Sequence, residues 1–184
     1  MAVPRSPEWV KPICGILVAH QGLVSRVEAA LADLLGAVED RSPLVRWNWS
    51  DYYAPEMGSD LWRCWLSFGN LAFPDAMVSW KLATNEIEGT LAVDGRRQAN
   101  IDPGYLTATK LVLASTKDAP HRIYLGSGIY GEVTLVYERG AFRPLPYTYR
   151  DYAEPASCNF FQLVRTRYLQ QRRAQRLQTI HARS

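Results

Sequence analysis

Hydrophobic and polar positions follow two different periods along the chain, which predicts a protein that mixes strands and helices. Residues 13–20, ICGILVAH, are a continuous apolar run of the kind that forms a central strand buried on both faces. Residues 23–38 then carry apolar side chains at helical spacing. A strand followed at once by a helix predicts a unit in which the helix packs against a sheet.

The following segments repeat this order of strand and helix. Alternating apolar and polar residues over 44–53 and 61–70 predict two half-buried strands, and a helical stripe over 73–93 predicts a second long helix. Residues 94–104 are predicted to be a loop because they contain Asp-Pro-Gly, a strong turn former. Four more strands and a long C-terminal helix are predicted after that loop, with the strands at about 109–116, 121–126, 130–137 and 141–145.

The order of the predicted elements indicates an α+β sandwich with a single domain. Its first six elements follow the β-α-β-β-α-β order of a ferredoxin-like fold, and extra antiparallel strands and the long C-terminal helix extend that plan. We expect a flexible arm over residues 1–11, where prolines are frequent, and the α+β domain over residues 12–170. Residues 171–184 are expected to form the basic end of the last helix and a tail.

Charge is distributed unevenly over the 184 residues, although the net charge is only +3. No acidic residue follows Glu154, whereas six arginines do, so the chain before that point is net acidic. The basic segment predicts binding to an anionic partner such as nucleic acid, or to an acidic face of the protein itself.

Several classes of protein are excluded by what the sequence lacks. No apolar run approaches the roughly 18 residues of a membrane span, and no signal peptide is recognisable, so we expect a soluble cytoplasmic protein without a membrane partner. Three cysteines without a CxxC pair predict buried thiols and no structural zinc. The GxxxxGK[ST], GxSxG and HExxH motifs are absent, and GSGIYG lies between strand-like segments, which argues against a dinucleotide site.

Six phrases of the sequence occur together in a way typical of one protein family. They are DYYAPEMG (51–58), KLATNEIE (81–88), NIDPGYL (100–106), KLVLASTKD (110–118), HRIYLGSGIYGEVTLVY (121–137) and YTYRDY (147–152). Over about residues 12 to 170 the chain resembles the prokaryotic family known as domain of unknown function 4416. That resemblance implies no particular activity, but it directs attention to the ionisable residues within these phrases.

Ionisable residues are concentrated in the strand-like region between residues 100 and 140. Alternation places Tyr130 and Glu132 on one face of their strand and Arg122 with Tyr124 on one face of another. If these faces coincide with that of Lys110, Glu132 meets Lys110 or Arg122. A carboxylate among apolar residues must be paired, protonated or bound to a metal, which predicts either a ligand pocket or a structural ion pair.

The turn STKDAPHR brings together further groups that suit an anionic ligand. Lys117 and Arg122 offer positive charge for phosphate or carboxylate, and Asp118 beside His121 offers a pair for proton transfer. We therefore predict Glu132 and His121 as candidate catalytic residues. The predicted ligand contacts from this region are Lys110, Lys117, Asp118, Arg122, Tyr124 and Tyr130. An ordinary polar turn is the alternative.

Three other carboxylate and arginine positions are candidates for the same site. Asp102, with Glu132, is a candidate ligand for a divalent metal, the one cofactor we consider, although Asp102 is also expected to stabilise a turn. Glu56 and Arg63 flank a tight entry into a strand, where they line a cleft or form a salt bridge that orders the loop.

Two more groups of residues have a structural and a functional interpretation. Lys81, Asn85 and Glu88 share one face of the second helix, and a solvated helix surface is the simpler interpretation. Tyr149, Asp151 and Tyr152 either rim the same cleft or anchor the chain before the last helix, and they are left out of the predicted site.

Three functions follow from these residues. We favour the binding, with or without turnover, of a small anionic, phosphorylated or nucleotide-like ligand in a polar pocket on the sheet. The alternatives are an accessory module that binds RNA through Arg172, Arg173 and Arg176, and a scaffold protein whose basic helix docks on a partner.

Overall fold

An antiparallel sheet of nine strands forms the centre of the computed structural model. The structure describes residues 1–181, apart from the side chains of residues 176 and 178–181. The strands are β1 (Lys11–Val18), β2 (Val38–Arg41), β3 (Val45–Arg46), β4 (Trp62–Phe68), β5 (Ala99–Leu106), β6 (Lys110–Ser115), β7 (Ile123–Gly126), β8 (Ile129–Glu138) and β9 (Ala141–Pro144). Seven of them lie in the order β2-β4-β1-β5-β6-β8-β7, while β3 pairs with β4 and β9 pairs with β8.

Helices cover both faces of this sheet. They are α1 (Val24–Leu35), α2 (Ala54–Met57), α3 (Met77–Thr90), α4 (Arg150–Ala153) and α5 (Pro155–His181). Side chains of α1 and α3, such as Leu31 and Trp80, form one core cluster with the sheet. Side chains of α5, such as Phe161 and Tyr168, form a second cluster with the other face. The mixed α and β composition, the antiparallel sheet and the C-terminal helix confirm these parts of the predicted fold.

Strand β1 separates the two cores, and every one of its residues is buried. Its side chains alternate, so that Cys14 and Ile16 face α1 and α3 whereas Ile13 faces α5. This arrangement confirms that the continuous apolar run forms a strand buried on both faces.

The strand predicted over residues 44–53 is wrong over most of its length. Only Val45–Arg46 pairs with β4, and the longer edge strand β2 lies earlier, beginning at the last residue of the predicted helical segment. The rings of Trp47 and Trp49 pack edge to face with centroids 5.3 Å apart. Alternation of large aromatic residues therefore reflects local ring packing here, and it does not reflect a strand.

The loop predicted over residues 94–104 is wrong from residue 99 onward, because β5 begins at Ala99 and contains the Asp-Pro-Gly tripeptide. Pro103 lies opposite Cys14 in the ladder with β1, and the ladder with β6 starts only at Gly104. A Cβ on Gly104 would lie 2.1 Å from the Val112 carbonyl oxygen, so this glycine permits a close approach of two strands. Pro103 and Gly104, which are typical turn residues, therefore lie within a strand of the sheet.

The polar face of α3 is largely buried, which contradicts the solvated surface expected for it. The ammonium of Lys81 donates a hydrogen bond of 2.7 Å to the Ile101 carbonyl, and the carboxylate of Glu88 accepts one of 2.7 Å from the Ile101 amide. Asn85 is half-buried. The helix therefore binds the backbone of β5 through charged side chains.

The last two residues of the predicted N-terminal arm are held to the body of the protein. Lys11, placed in the arm by the sequence, is the first residue of β1, and Val10 forms an isolated bridge with Ala72.

Cys14 and Cys64 are buried, and Cys158 is half-buried. Among the described residues, none of the helices combines the length and apolarity required to cross a membrane.

Candidate functional site

A pocket of about 310 Å³ opens on the face of the sheet that also carries α5. Five of its lining residues are aromatic, and the other five are polar or charged. They are Trp47, Ser50, Tyr52, Tyr53, Arg63, Asp102, Lys117, Tyr149, Asp151 and Tyr152. Such a combination of apolar walls and a few convergent polar groups is typical of small-molecule sites.

The floor of the pocket is the buried guanidinium of Arg63. Its Nη2 lies 2.9 Å from the Oδ2 of Asp151, and its Nη1 lies 3.4 Å from the Oδ2 of Asp102. The same group lies over the rings of Trp65 and Tyr152, at 5.2 Å and 5.0 Å from their centroids. Two carboxylates therefore neutralise the charge of Arg63, so it is not available as the main anchor for an anion.

Burial changes the ionisation of three groups around this floor. Desolvation raises the pKa of Asp151, although the charge of Arg63 acts against this shift. Burial also raises the pKa values of the Tyr53 and Tyr152 hydroxyls. These two tyrosines therefore keep their protons at neutral pH and offer neutral hydroxyl groups. The Tyr152 hydroxyl is buried, and it has no hydrogen-bond partner in the described part of the chain.

The rim of the pocket consists of aromatic rings and one ammonium group. Tyr53 packs edge to face against Tyr52 and Trp47, with centroids 5.0 Å and 5.7 Å apart. The Nζ of Lys117 lies 4.2 Å from the centroid of the Tyr52 ring and donates a hydrogen bond to the hydroxyl of that residue. Lys117 forms no salt bridge with any residue that the structure describes. Its charge helps to lower the pKa of Glu56, but that carboxylate is paired with Arg97.

Arg122 positions two residues of the pocket rim through hydrogen bonds. Its Nε donates to Glu132 at 2.7 Å, its Nη1 donates to the Lys117 carbonyl and to Ser115, both at 2.8 Å, and its Nη2 donates to the Tyr149 hydroxyl at 2.7 Å. One guanidinium therefore positions both the backbone of Lys117 and the ring of Tyr149. The predicted pairing of Arg122 with Glu132 is present, but Arg122 is not among the residues that line the pocket.

The carboxylate of Glu132 is buried and contacts three polar side chains. Besides Arg122, the Nε2 of His121 lies 3.2 Å from its Oε2, and the hydroxyl of Thr134 donates to its Oε1 at 3.2 Å. The His121 ring stacks on Tyr147 with centroids 4.1 Å apart. The two predicted catalytic residues are thus in contact with each other, next to the pocket and outside its lining. Their catalytic role stays a prediction.

Lys110 does not join this cluster, so of the two partners considered for Glu132 only Arg122 makes the contact. Glu132 pairs with Leu113 across the ladder between β6 and β8, whereas Lys110 pairs with Val136. Lys110 alternates with Leu111 and Leu113, so its side chain belongs to the opposite face of the sheet. Simple alternation holds along β6 but not along all of β8, where a register shift puts Leu135 on the same face as Glu132. Only the register between strands determines which faces coincide.

Three more of the predicted ligand contacts lie away from the pocket. Tyr124 and Tyr130 pack edge to face, 5.3 Å apart, in the hairpin of β7 and β8. Asp118 is exposed in the turn before His121 and forms no hydrogen bond with the described residues.

Glu56 pairs with an arginine other than the one the sequence suggested. Its two carboxylate oxygens accept hydrogen bonds of 2.7 Å and 2.6 Å from Arg97, not from Arg63. Arg97 also lies 3.2 Å from Glu88 and donates to Asn100 at 3.1 Å. This bidentate pair orders the loop, which was the second of the two roles considered for Glu56.

The two candidate metal ligands are separated into different networks. Asp102 contacts Arg63 and Asn100, whereas Glu132 contacts Arg122, His121 and Thr134. Within the part of the chain that the structure describes, no three His, Cys, Asp or Glu side chains are grouped as metal ligands. The structure therefore gives no support to a metal at Asp102 or Glu132.

The pocket includes residues that were left out of the predicted site. Its lining contains Trp47, Tyr52 and Tyr53, and it also contains Tyr149, Asp151 and Tyr152, for which the rim of the cleft was one of the two positions considered. Five of these six lie in the phrases DYYAPEMG and YTYRDY, which carried the family resemblance. That resemblance was the available signal, because tyrosines in loops have no periodicity that would reveal a common pocket.

Arginines of α5 are engaged by the body of the protein itself. Arg167 lies 2.9 Å from the buried Asp40, Arg172 pairs with Glu8, and Arg165 donates to the Ala108 carbonyl at 2.7 Å. Of the two partners considered for this helix, these contacts favour the acidic face of the same chain. The side chain of Arg176 and residues 182–184 lie outside the described residues.

The fold and the pocket together define a mixed α and β protein with an aromatic-walled cavity over a buried Arg-Asp network. The chain belongs to the family described as Domain of unknown function (DUF4416), whose family model matches residues 8–168. That match confirms the resemblance inferred from the six phrases. No curated protein and no solved structure matches the chain.

Proposed function

We propose that this protein binds a small anionic ligand that carries a planar ring, such as a phosphorylated or nucleotide-like compound, in the pocket between Trp47 and Tyr149. The observation that carries this proposal is the position of Lys117, whose ammonium forms no salt bridge with the described residues and lies beside the exposed ring of Tyr52 in the lining of an aromatic-walled cavity.

The charges around the pocket support an anion at its mouth and not at its floor. Arg63 is already paired with Asp102 and Asp151, whereas Lys117 forms no salt bridge with the described residues and donates its side-chain hydrogen bond to the hydroxyl of Tyr52. A phosphate or carboxylate at Lys117 gains a charge-assisted hydrogen bond without competing against a carboxylate of the protein.

The walls support a ring in the interior of the pocket. Aromatic side chains bind planar groups through offset or edge-to-face contacts, each of which contributes about 0.5 to 1.5 kcal/mol beyond the area that is buried. The cavity of about 310 Å³ lies at the lower end of the range typical of ligand pockets, which favours a compact ligand.

We also propose that Arg122 and Glu132 act as positioning residues for this pocket. Arg122 holds the backbone of Lys117 and the hydroxyl of Tyr149, and Glu132 holds Arg122. The two groups thereby fix the distance between the anion-binding end and the aromatic wall.

The arrangement of the first strands supports the further proposal of a ferredoxin-like core. In the order β5-β1-β4-β2 every neighbouring pair is antiparallel, and α1 and α3 pack in the same cluster on one face. The remaining strands β6 to β9 extend this core beyond β5.

Calorimetric titration with phenyl phosphate, the simplest ring-bearing phosphate, tests the proposed function. We expect saturable binding to one site, and a loss of about tenfold in affinity for Lys117→Gln. The matched control is Lys110→Gln, which removes the same charge from the other face of the sheet and should bind as the parent protein does. Equal affinities for both variants, or no binding to the parent protein, would contradict the proposal.

A further inference from the structure

We infer that Asp102 is a specificity-determining residue of this pocket and selects ligands that present an N–H or O–H donor on the ring. This inference rests on the proposed function and names the class of ligand more closely. The ligand would be a ring-bearing anion with an amino, amide or hydroxyl group at the end opposite to its charge.

Asp102 has one carboxylate oxygen that the protein leaves open. Both of its hydrogen bonds, from Arg63 at 3.4 Å and from the Asn100 amide at 3.1 Å, end on Oδ2. Its Oδ1 accepts no hydrogen bond from any residue between 1 and 181 whose side chain is described. The side chain is 27% exposed and contributes to the pocket lining.

The strand geometry keeps this carboxylate in place. Asp102 lies on β5 directly opposite Gly15 of β1, so it shares the sheet face on which Arg63 and Tyr152 meet. Arg63 and Asn100 hold its Oδ2 from two sides. A preorganised acceptor of this kind distinguishes ligands more sharply than a mobile one does.

The other carboxylate of the pocket does not offer the same contact. Asp151 is almost fully buried, at 3% exposure, and its Oδ2 lies 2.9 Å from Arg63. Asp102 is therefore the accessible carboxylate among the lining residues.

The chemistry of a carboxylate determines which groups it selects. An ionised carboxylate accepts hydrogen bonds and donates none, so a ligand amine or hydroxyl gains a charge-assisted bond at Oδ1. A ligand carbonyl or ether oxygen at the same place would face a second acceptor. Sites that bind a ligand N–H or O–H in this way reject analogues that lack it, because the polar group of the protein then loses its partner.

The test compares phenyl phosphate with its 2-, 3- and 4-amino derivatives by calorimetric titration of the full chain. We expect at least one aminophenyl phosphate to bind about tenfold more tightly than phenyl phosphate. The matching methoxyphenyl phosphate, which has an acceptor instead of a donor, should bind no more tightly than phenyl phosphate. This comparison uses the parent protein alone and does not depend on the folding of any variant.

Asp102→Asn should reduce the ratio of these two affinities to about one. Asp118→Asn, which removes a carboxylate from the exposed turn, should leave the ratio at its parent value. If phenyl phosphate binds through Lys117 but no amino derivative binds more tightly, or if Asp102→Asn keeps the preference, Asp102 is not the selecting residue while the proposed function stands. If no phosphate binds, the proposed function fails and this inference fails with it.

Discussion

A Cβ on Gly15 would lie 2.3 Å from the hydroxyl oxygen of Tyr152 and 2.7 Å from the Nη2 of Arg63. In the middle of β1, therefore, the phenol of Tyr152 and the guanidinium of Arg63 lie directly against the strand backbone, and there is no room for a side chain. The pocket floor is built directly on strand backbone, and a glycine is required because of this close approach and not because of an unusual backbone angle.

Gly15→Ala is expected to lower the free energy of unfolding by about 1 to 3 kcal/mol, because the added methyl group displaces Tyr152 and Arg63 in a packed interior. Chemical denaturation measures this change. The control is Gly89→Ala on the exposed face of α3, where nothing lies within 4 Å of a new Cβ. That substitution should instead stabilise the protein by up to about 1 kcal/mol. A Gly15→Ala protein as stable as its parent would show that the floor is not tightly packed.

Arg122 and Glu132 form a buried pair whose side chains are 5% and 1% exposed. Arg122→Leu should destabilise the protein by about 3 kcal/mol, because it leaves a buried carboxylate with weaker partners. The double variant Arg122→Leu with Glu132→Leu should recover at least about 1 kcal/mol relative to the single variant. Denaturation of the parent, the two single variants and the double variant gives this coupling energy. Additive losses would mean that the two side chains do not act as a pair.

The burial of Glu88 predicts that the stability of the protein depends on pH. Burial raises the pKa of its carboxyl above the usual value of 4.5, with the attraction of Lys81 acting in the opposite direction. The folded protein therefore holds this proton more tightly than the unfolded chain does. The stability contributed by the protonated group is present below pH 4.5 and is lost as the pH rises through the raised pKa.

Denaturation of Glu88→Gln from pH 4 to pH 8 tests this prediction. The fall in stability with rising pH should be smaller in this variant than in the parent protein. Glu86→Gln, an exposed change on the same helix, should keep the parent slope. A Glu88→Gln slope as steep as the parent slope would place the linked proton elsewhere.

Arg167 is predicted to stabilise the fold by pairing with Asp40, which is 7% exposed and otherwise accepts a hydrogen bond from Ser67. Arg167→Ala should cost about 1 kcal/mol, since a buried carboxylate then loses its charged partner. Arg173→Ala, which removes an exposed arginine from the same helix, should change stability by less than about 0.5 kcal/mol. Thermal denaturation in low salt distinguishes the two, and equal effects would contradict an internal role for Arg167.

The sequence contained enough information for most of the sheet and for the long helices. The continuous apolar run of β1 and the alternating residues of β4, β6 and β8 are typical of strands. These patterns identify the four strands directly. Strand β5 was missed because Pro103 and Gly104, typical turn residues, occupy positions where one ladder ends and two backbones approach closely.

The candidate site was less accessible to such reasoning. Arg122 was one of the two partners that alternation offered for Glu132, and these two residues do meet. The error at Lys110 arose because alternation does not fix the register between strands. Lys81 and Glu88 were expected in solvent because they lie opposite the apolar stripe of their helix, but the backbone of Ile101 gives both a partner. Loop tyrosines such as Tyr52 and Tyr149 converge only through the tertiary fold.

The indole N–H resonance of Trp47 offers the most direct test that a ring enters the pocket. This N–H donates a hydrogen bond of 2.6 Å to the Ser50 carbonyl, and both residues line the cavity. Titration with phenyl phosphate, followed by proton–nitrogen correlation spectra, should shift this resonance in a saturable manner, while the resonance of Trp80 in the core beneath α3 stays in place. Saturable shifts that leave Trp47 unchanged and affect the α5 surface near Arg173 would show that the anion binds elsewhere.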